Sequence, residues 1–275
     1  MQTTRVDLER IKTLRAIAII IIGVLTGLLS GLLGIGGGVV LVPAMVCLLG
    51  MNQHQAHGTS LAVISLVVLS SAMFYGFHGE MDWLIALELA IGGVIGAAIG
   101  ARLCCLSSTR RLRRYFALFL VFVAFRMLWE VMYPIFTSGS FGIINHSRAV
   151  TGPWSIPVVL LVGIGTGITS GLLGVGGGVI MVPAMVLLLG IAQKMAQGIS
   201  LAVIIPVSVS GAIVHYRHGN VRLGIGKWLA VGGLLGGLVG ARIALGLEPV
   251  ILRSFFAVLL LTLGIVMFRR RARPD

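Results

Sequence analysis

Charge is what this chain has least of. Only 11% of its 275 residues are Asp, Glu, Lys or Arg, and only eight are acidic; a soluble domain carries about a quarter. So few charges cannot cover a globule of this size in water, which excludes an ordinary soluble enzyme or binding module. Cysteine is nearly absent too. Cys47, Cys104 and Cys105 have neither the even count of a disulfide framework nor metal-site spacing, and read as packing residues. Strict polar-apolar alternation, the signature of a lipid-embedded barrel, is also missing. Helices and closed barrels are the only structures that satisfy backbone polar groups in lipid. The long apolar runs, such as Ala16 to Gly38, Leu61 to Phe77 and Leu229 to Ala241, therefore read as spanning helices.

Basic residues outnumber acidic ones 21 to 8, a formal net charge of +13. The excess does not point to nucleic acid, because the charges gather beside apolar runs. Arg5, Arg10, Lys12 and Arg15 precede the first run, Arg110, Arg111, Arg113 and Arg114 follow the fourth, and Arg269, Arg270, Arg271 and Arg273 lie at the end. Charges so placed fix the orientation of membrane segments. A basic start before an apolar run also invites reading as a secretory signal. The run is too long for one, lacks a small-residue cleavage site, and recurs later in the chain.

Gly34-Ile-Gly-Gly-Gly38 matches Gly174-Val-Gly-Gly-Gly178 at an offset of 140 residues, which holds without a gap from Gly27 to Arg102. About half of the aligned positions are identical, which marks a duplication of the kind many transporters are built from. The matches include Val42-Pro-Ala-Met-Val46 with Val182-Pro-Ala-Met-Val186 and Ser60-Leu-Ala-Val-Ile64 with Ser200-Leu-Ala-Val-Ile204. The chain divides into a first repeat over 1–133, an extramembrane linker over 134–155 carrying Gly, Ser, Asn and Pro, and a second repeat over 156–275.

Each repeat reads as five apolar segments. In the first they are about Leu14 to Leu33, Val39 to Gly50, Gly58 to Phe77, Trp83 to Leu103 and Tyr115 to Ile135; in the second they begin near Ile156, Val179, Gly198, Leu223 and Ile251. The second segment is too short to cross a hydrocarbon core of about 30 Å. It is either a re-entrant arm or half of a broken helix, and both leave each repeat with an odd number of crossings. An odd number turns the second repeat upside down, and the charges agree. The loop His78 to Asp82 has no Lys or Arg, whereas its counterpart carries Arg217, Arg222 and Lys227; the basic loop after segment four of the first repeat is matched by one with Glu248 and Arg253. With both termini cytoplasmic, every strongly basic loop falls inside.

Inverted repeats place a binding site near the bilayer midplane, where broken helices expose their ends. Gly36, Gly37 and Gly38, with Gly176, Gly177 and Gly178, are such breaks, each followed by a proline, Pro43 or Pro183. Arms beginning at Val39 and Val179 would aim backbone N–H groups and the positive helix end at an anion. The competing reading is close helix packing, continuing the small-residue face Gly23, Gly27, Ser30, Gly31 and Gly34. The runs are not phosphate loops, since no Lys-Ser or Lys-Thr follows them. Thr59, Ser60 and Ser200 offer hydroxyls to an oxyanion or cap their helices, and Gln53 and Gln193 lie just before them. His57 pairs with Gln197 across the offset, so only one of the two positions titrates.

Arg102 and Arg242 close segment four of each repeat, as snorkelling anchors or as charges that gather anions. Arg126 falls within segment five with Glu130 one turn on, either a functional charge or a structural ion pair; its repeat mate is Val266. Glu88 is a carboxylate just inside segment four that would carry a proton if buried. The histidines mostly fall in or near loops, and with so few carboxylates no metal site and no cofactor is expected. No nucleophile stands with a base and an orienting acid.

The doubled pattern Gly-x-Gly-Gly-Gly, Val-Pro-Ala-Met and Gly-x-Ser-Leu-Ala-Val resembles the sulfite exporter TauE/SafE family of bacterial and archaeal membrane permeases, over about Ile17 to Arg269. The resemblance implies export or exchange of sulfite, sulfoacetate or related organosulfur anions, driven by the proton gradient. It carries the family's glycine and proline breaks onto the two runs and onto Pro43 and Pro183. The segment Asn52-Gln-His-Gln-Ala-His57 departs from it by lacking a proline. The expectation is an all-α polytopic integral membrane protein of two inverted repeats, each a broken or re-entrant Gly-rich hairpin plus three spanning helices. It is no enzyme, its site residues are those named above, and its partners are a small anionic substrate, membrane lipid and a second copy in a homodimer. Its expected place is the plasma membrane of a bacterium or archaeon. An uncoupled anion channel and a membrane scaffold without transport are the alternatives.

Overall fold

The computed structural model describes residues 5–106, 118, 121–129, 132, 155–174 and 176–269. Among them all regular structure is helical. The helices are α1 (Arg5–Leu33), α2 (Gly38–Leu48), α3 (Gln53–Phe77), α4 (Trp83–Leu106), α5 (Ser155–Leu173), α6 (Gly178–Leu188), α7 (Gln193–Arg217), α8 (Leu223–Gly246) and α9 (Pro249–Arg269), with a further helical stretch over 121–129. Helices α1 to α4 each end 140 positions before their mates α5 to α8. Of the linker 134–155, all but Ser155 lies outside the described residues.

Six of these helices are long and apolar enough to cross a membrane: Ala16–Leu33, Gln53–Phe77, Trp83–Leu103, Gln193–Arg217, Leu223–Gly246 and Pro249–Val266. Their side chains are arranged inside out. On α4 the bulky Leu84, Leu87, Ile91, Ile95 and Ile99 all face outward, whereas Gly92, Gly96 and Gly100 are buried. Water would not tolerate such a surface, but lipid tails do. Association in lipid then rests on close van der Waals approach between small residues rather than on burying large ones.

The glycine rows are used between repeats, not within them. The most extensive contacts join α1 to α8 and α4 to α5. A Cβ on Gly23 of α1 would stand 2.5 Å from the Leu229 carbonyl oxygen, and one on Gly163 of α5 would stand 2.6 Å from that of Leu89. Ser70 Oγ of α3 donates to the Leu234 carbonyl, and its repeat mate Ser210 Oγ of α7 donates to that of Val94. The central helices α3 and α7 run antiparallel. Gly58 at the start of α3 abuts His215 and Asn220 at the end of α7, and Gly198 at the start of α7 abuts Tyr75 and Glu80 at the end of α3.

Several helix starts differ from the sequence expectation; α1 begins at Arg5 rather than Leu14, and α7 at Gln193 rather than Gly198. Helix α3 begins at Gln53 rather than Gly58, because Asn52 caps it: its side-chain oxygen accepts from the Gln55 amide at 2.8 Å. The polar stretch up to His57 is thus a helical turn, not a loop. Helix α9 begins at Pro249, where the missing proline N–H costs nothing in a first turn.

Candidate functional site

The glycine breaks that lead into the two short helices meet inside the fold. Helix α1 ends at Leu33, and the chain reverses through Gly34, Gly36 and Gly37 at φ of 71°, 76° and 73°; the mates Gly174, Gly176 and Gly177 have φ of 64°, 88° and 80°. Glycine adopts this left-handed backbone without the steric cost other residues meet. Val40 and Leu41 return their amides to the Gly37 carbonyl, as Ile180 and Met181 do to Gly177. The first amides of α2 and α6 have no acceptor within their own helix. Eleven residues rise only about 16 Å, so neither arm crosses alone. Pro43 and Pro183 lie inside α2 and α6; lacking an N–H, each leaves the carbonyl one turn earlier without its helical donor.

The runs are buried and touch one another. A Cβ on Gly178 would stand 2.5 Å from the Gly34 carbonyl oxygen and 2.9 Å from Ser200 Oγ. Gly36 and Gly176 both face Ile64 and Ile204, which are repeat mates of each other. These two isoleucines, each fully buried, form the centre on which both breaks converge. The close-packing reading of the glycines therefore describes this conformation, and the same packing gathers both helix N-termini at one place.

Ser60 Oγ donates to the Gly174 carbonyl at 3.0 Å, and Ser200 Oγ to the Gly34 carbonyl at 2.8 Å. Each serine thus holds the break of the opposite repeat rather than capping its own helix. Thr59 Oγ1 accepts from the Arg222 amide at 2.9 Å and anchors the loop after α7. Gln53 is exposed, whereas Gln193 is buried with neither side-chain amide atom paired.

His57 is buried against Gly174, and Gln197 against Gly34. The remaining expected residues are not brought here. Arg102 and Arg242 are exposed near the ends of α4 and α8. Arg126 is half-buried in the stretch 121–129. Glu88 is half-buried in α4, its Oε2 without a hydrogen-bond partner. Glu130 lies outside the described residues. Among the described residues no cluster of three His, Cys, Asp or Glu side chains is placed to hold a metal. An apolar groove of 450 Å³ between α3 and α7, lined by Leu69, Met73, Phe77, Trp83 and Pro206, involves none of the expected site residues.

Sequence reasoning missed the hydroxyls behind the breaks. Gly37 packs on Thr26 and Ser30 of α1, and Gly177 on Thr166 and Ser170 of α5. All four side chains are buried, and Thr26 Oγ1, Ser30 Oγ and Ser170 Oγ have no hydrogen-bond partner. The offset of 140 pairs Thr26 with Thr166 and Ser30 with Ser170, a signal present in the sequence but absorbed into the small-residue face. His215 and Tyr75, also repeat mates, were likewise missed.

A lipid-facing exterior, tight glycine seams and a doubled unit whose helix breaks meet inside define a multi-pass α-helical membrane protein. The family model described as Sulfite exporter TauE/SafE matches residues 2–127 and 159–275, and the chain belongs to that family. Its relatives include the probable membrane transporter protein YunE of Bacillus subtilis, 28% identical over 260 residues that cover 90% of this chain and 95% of the relative. A probable membrane transporter protein of Xylella fastidiosa strain Temecula1 is 28% identical over 90% of this chain and 93% of its own length. The probable membrane transporter protein MJ0441 of Methanocaldococcus jannaschii is 25% identical over 90% and 94%. No solved structure matches. The chain is thus a membrane transporter by family and by relatives, and these names point to transport rather than catalysis.

Proposed function

We propose that the chain is a secondary transporter that exports a small anion, such as sulfite, sulfoacetate or a related organosulfur compound, in exchange with or together with protons. The observation that carries this reading is the meeting of the α2 and α6 N-termini beside buried, unpartnered hydroxyls. Helix N-termini present amides and a positive dipole end, and a buried hydroxyl without a partner is a cost that an anion accepting its hydrogen would remove. In the conformation described here the glycine contacts are closed, so loading requires the two repeats to separate at the Ile64–Ile204 centre. On this reading the chain lies in a bacterial or archaeal plasma membrane with both termini cytoplasmic and the two breaks at equivalent depths from opposite faces, which the antiparallel run of the repeat mates α3 and α7 supports. Arg102 and Arg242 then sit one near each face, where they gather anions.

The closeness of the glycine contacts favours one other reading, a scaffold whose repeats serve packing alone. Flux separates them. The purified chain in liposomes should move labelled sulfite or sulfoacetate down its gradient, faster with an opposing pH difference. Flux equal to that of empty liposomes would remove the transport reading, and flux indifferent to pH would leave an uncoupled channel.

A further inference from the structure

The two repeats differ at one buried polar pair. In one half Tyr75 of α3 places its hydroxyl 3.0 Å from Gln197 Oε1 of α7 and 3.2 Å from the Gly31 carbonyl of α1. One phenolic hydrogen cannot serve both acceptors. Turning the Gln197 amide, whose Nε2 lacks a partner, lets it donate to the phenol while the phenol donates to Gly31. The mates in the other half are His215 for Tyr75, His57 for Gln197 and Gly171 for Gly31. His215 is fully buried. Its ring lies beside the Gly171 carbonyl without the geometry of a good hydrogen bond, and both ring nitrogens remain unsatisfied. His57 is 5% exposed and its ring bonds the Leu172 carbonyl. The same architecture thus holds an inert Tyr–Gln pair on one side and two imidazoles on the other.

We propose that the His57–His215 pair is the proton-binding site of this chain, loaded together with the anion at the adjoining break. The step is the transfer of one proton from a hydronium ion to a ring-nitrogen lone pair; an O–H bond breaks and leaves water, one N–H bond forms, and the pair gains the positive charge. His57 packs directly on Gly174, where an added Cβ would stand 2.9 Å from the His57 Cα, and Ser60 holds the Gly174 carbonyl one turn further along α3. A charge gained there acts on the break that leads into α6. The titratable and charged groups at this end of the surrounding elements are His54 on α3, Arg217 on α7, His218 and Arg222 after it, Lys227 early in α8 and Arg102 late in α4; α5 and α6 carry none, and the α4 carboxylate Glu88 lies towards the opposite end of its helix. No carboxylate is among them, whereas Glu80 stands near Tyr75 in the other half. The counter-charge for a protonated pair must therefore come from the cargo, which links proton and anion.

The inference rests on the transport reading, and the test keeps the two apart. Methanesulfonate, ionised throughout, serves as the anion, and a trapped pH dye reports protons. The graft His57→Gln with His215→Tyr writes the chain's own Tyr–Gln pair into the second position. Wild type should move protons with methanesulfonate; the graft should move the anion while protons per anion fall by about an order of magnitude or more. Protons per anion unchanged in the graft, or lost instead in His218→Gln, would overturn the proposal. If wild type moves no anion, or the graft does not fold, histidine ring-nitrogen NMR on the wild-type protein in lipid decides. A buried ring titrating between about pH 4 and 9 and lost in His215→Gln sustains the site, and its absence ends it.

Discussion

Ser60 donates its hydroxyl to the carbonyl of Gly174, 3.0 Å away and 114 positions along the chain, and Ser200 returns the same bond to Gly34 at 2.8 Å. These two bonds tie each central helix to the helix break of the other repeat, so neither break can shift without disturbing the opposite half. That reciprocity is what a site shared by two halves requires.

Ser60→Ala and Ser200→Ala should therefore each lower stability by about 1 kcal/mol, since each leaves a buried carbonyl without its side-chain donor. Thermal unfolding in detergent checks this. The pair sits in one connected unit, so the double variant should depart from the sum of the singles. Strict additivity would mean that the two breaks do not communicate.

The spans and the duplication were legible because hydropathy and a gapless offset are local or linear properties, and helix ends such as Leu33 with Leu173 and Phe77 with Arg217 fall on it. Which helix packs on which was not. Nothing in the row Gly23, Gly27 and Gly31 says that its partner is α8 rather than α2, because small residues permit close approach without naming the partner. The serines at 60 and 200 were legible as polar residues near a break but not as clamps across repeats. His215 was passed over as a residue near a loop, because its burial depends on Gly58, 157 positions earlier in the chain, and only the fold brings the two together.

Gly37 and Gly177 should respond unequally to alanine. Both have left-handed backbone, which costs about 1–2 kcal/mol for any other residue. The Cβ at Gly37 would also stand 2.6 Å from Thr26 Cγ2 and 2.8 Å from the Thr26 carbonyl, whereas at Gly177 the nearest atom is 3.1 Å away. Gly37→Ala should cost more stability and more flux than Gly177→Ala, and valine at either position should abolish transport while insertion, set by hydropathy, is retained. Equal losses from the two alanines would show that the crowding at Thr26 relaxes freely.

The orientation of the repeats is open to labelling. In a background lacking Cys47, Cys104 and Cys105, Glu80→Cys and Asn220→Cys place single thiols in the equivalent loops after α3 and α7. An impermeant thiol reagent should reach position 80 from outside the cell and position 220 only after the membrane is opened, following the basic residues Arg217 and Arg222. Labelling of both from the same side would remove the inverted arrangement, and with it the two-faced site.

Ser30 and Ser170 distinguish a binding site from a packing seam most directly. Their hydroxyls are buried and unpartnered, so Ser30→Ala and Ser170→Ala remove a polar group that gains nothing in the empty protein. A purely structural hydroxyl contributes to stability when replaced by a poorer fit, but an unsatisfied one does not, and its removal is neutral or stabilising. Both variants should keep or raise the unfolding temperature. If an anion completes these hydroxyls during transport, the same variants should raise the KM for the anion by about tenfold, the effect of one lost charge-assisted hydrogen bond of about 1.4 kcal/mol. Stability and affinity then move in opposite directions. A fall in unfolding temperature with unchanged KM would assign these serines to the seam.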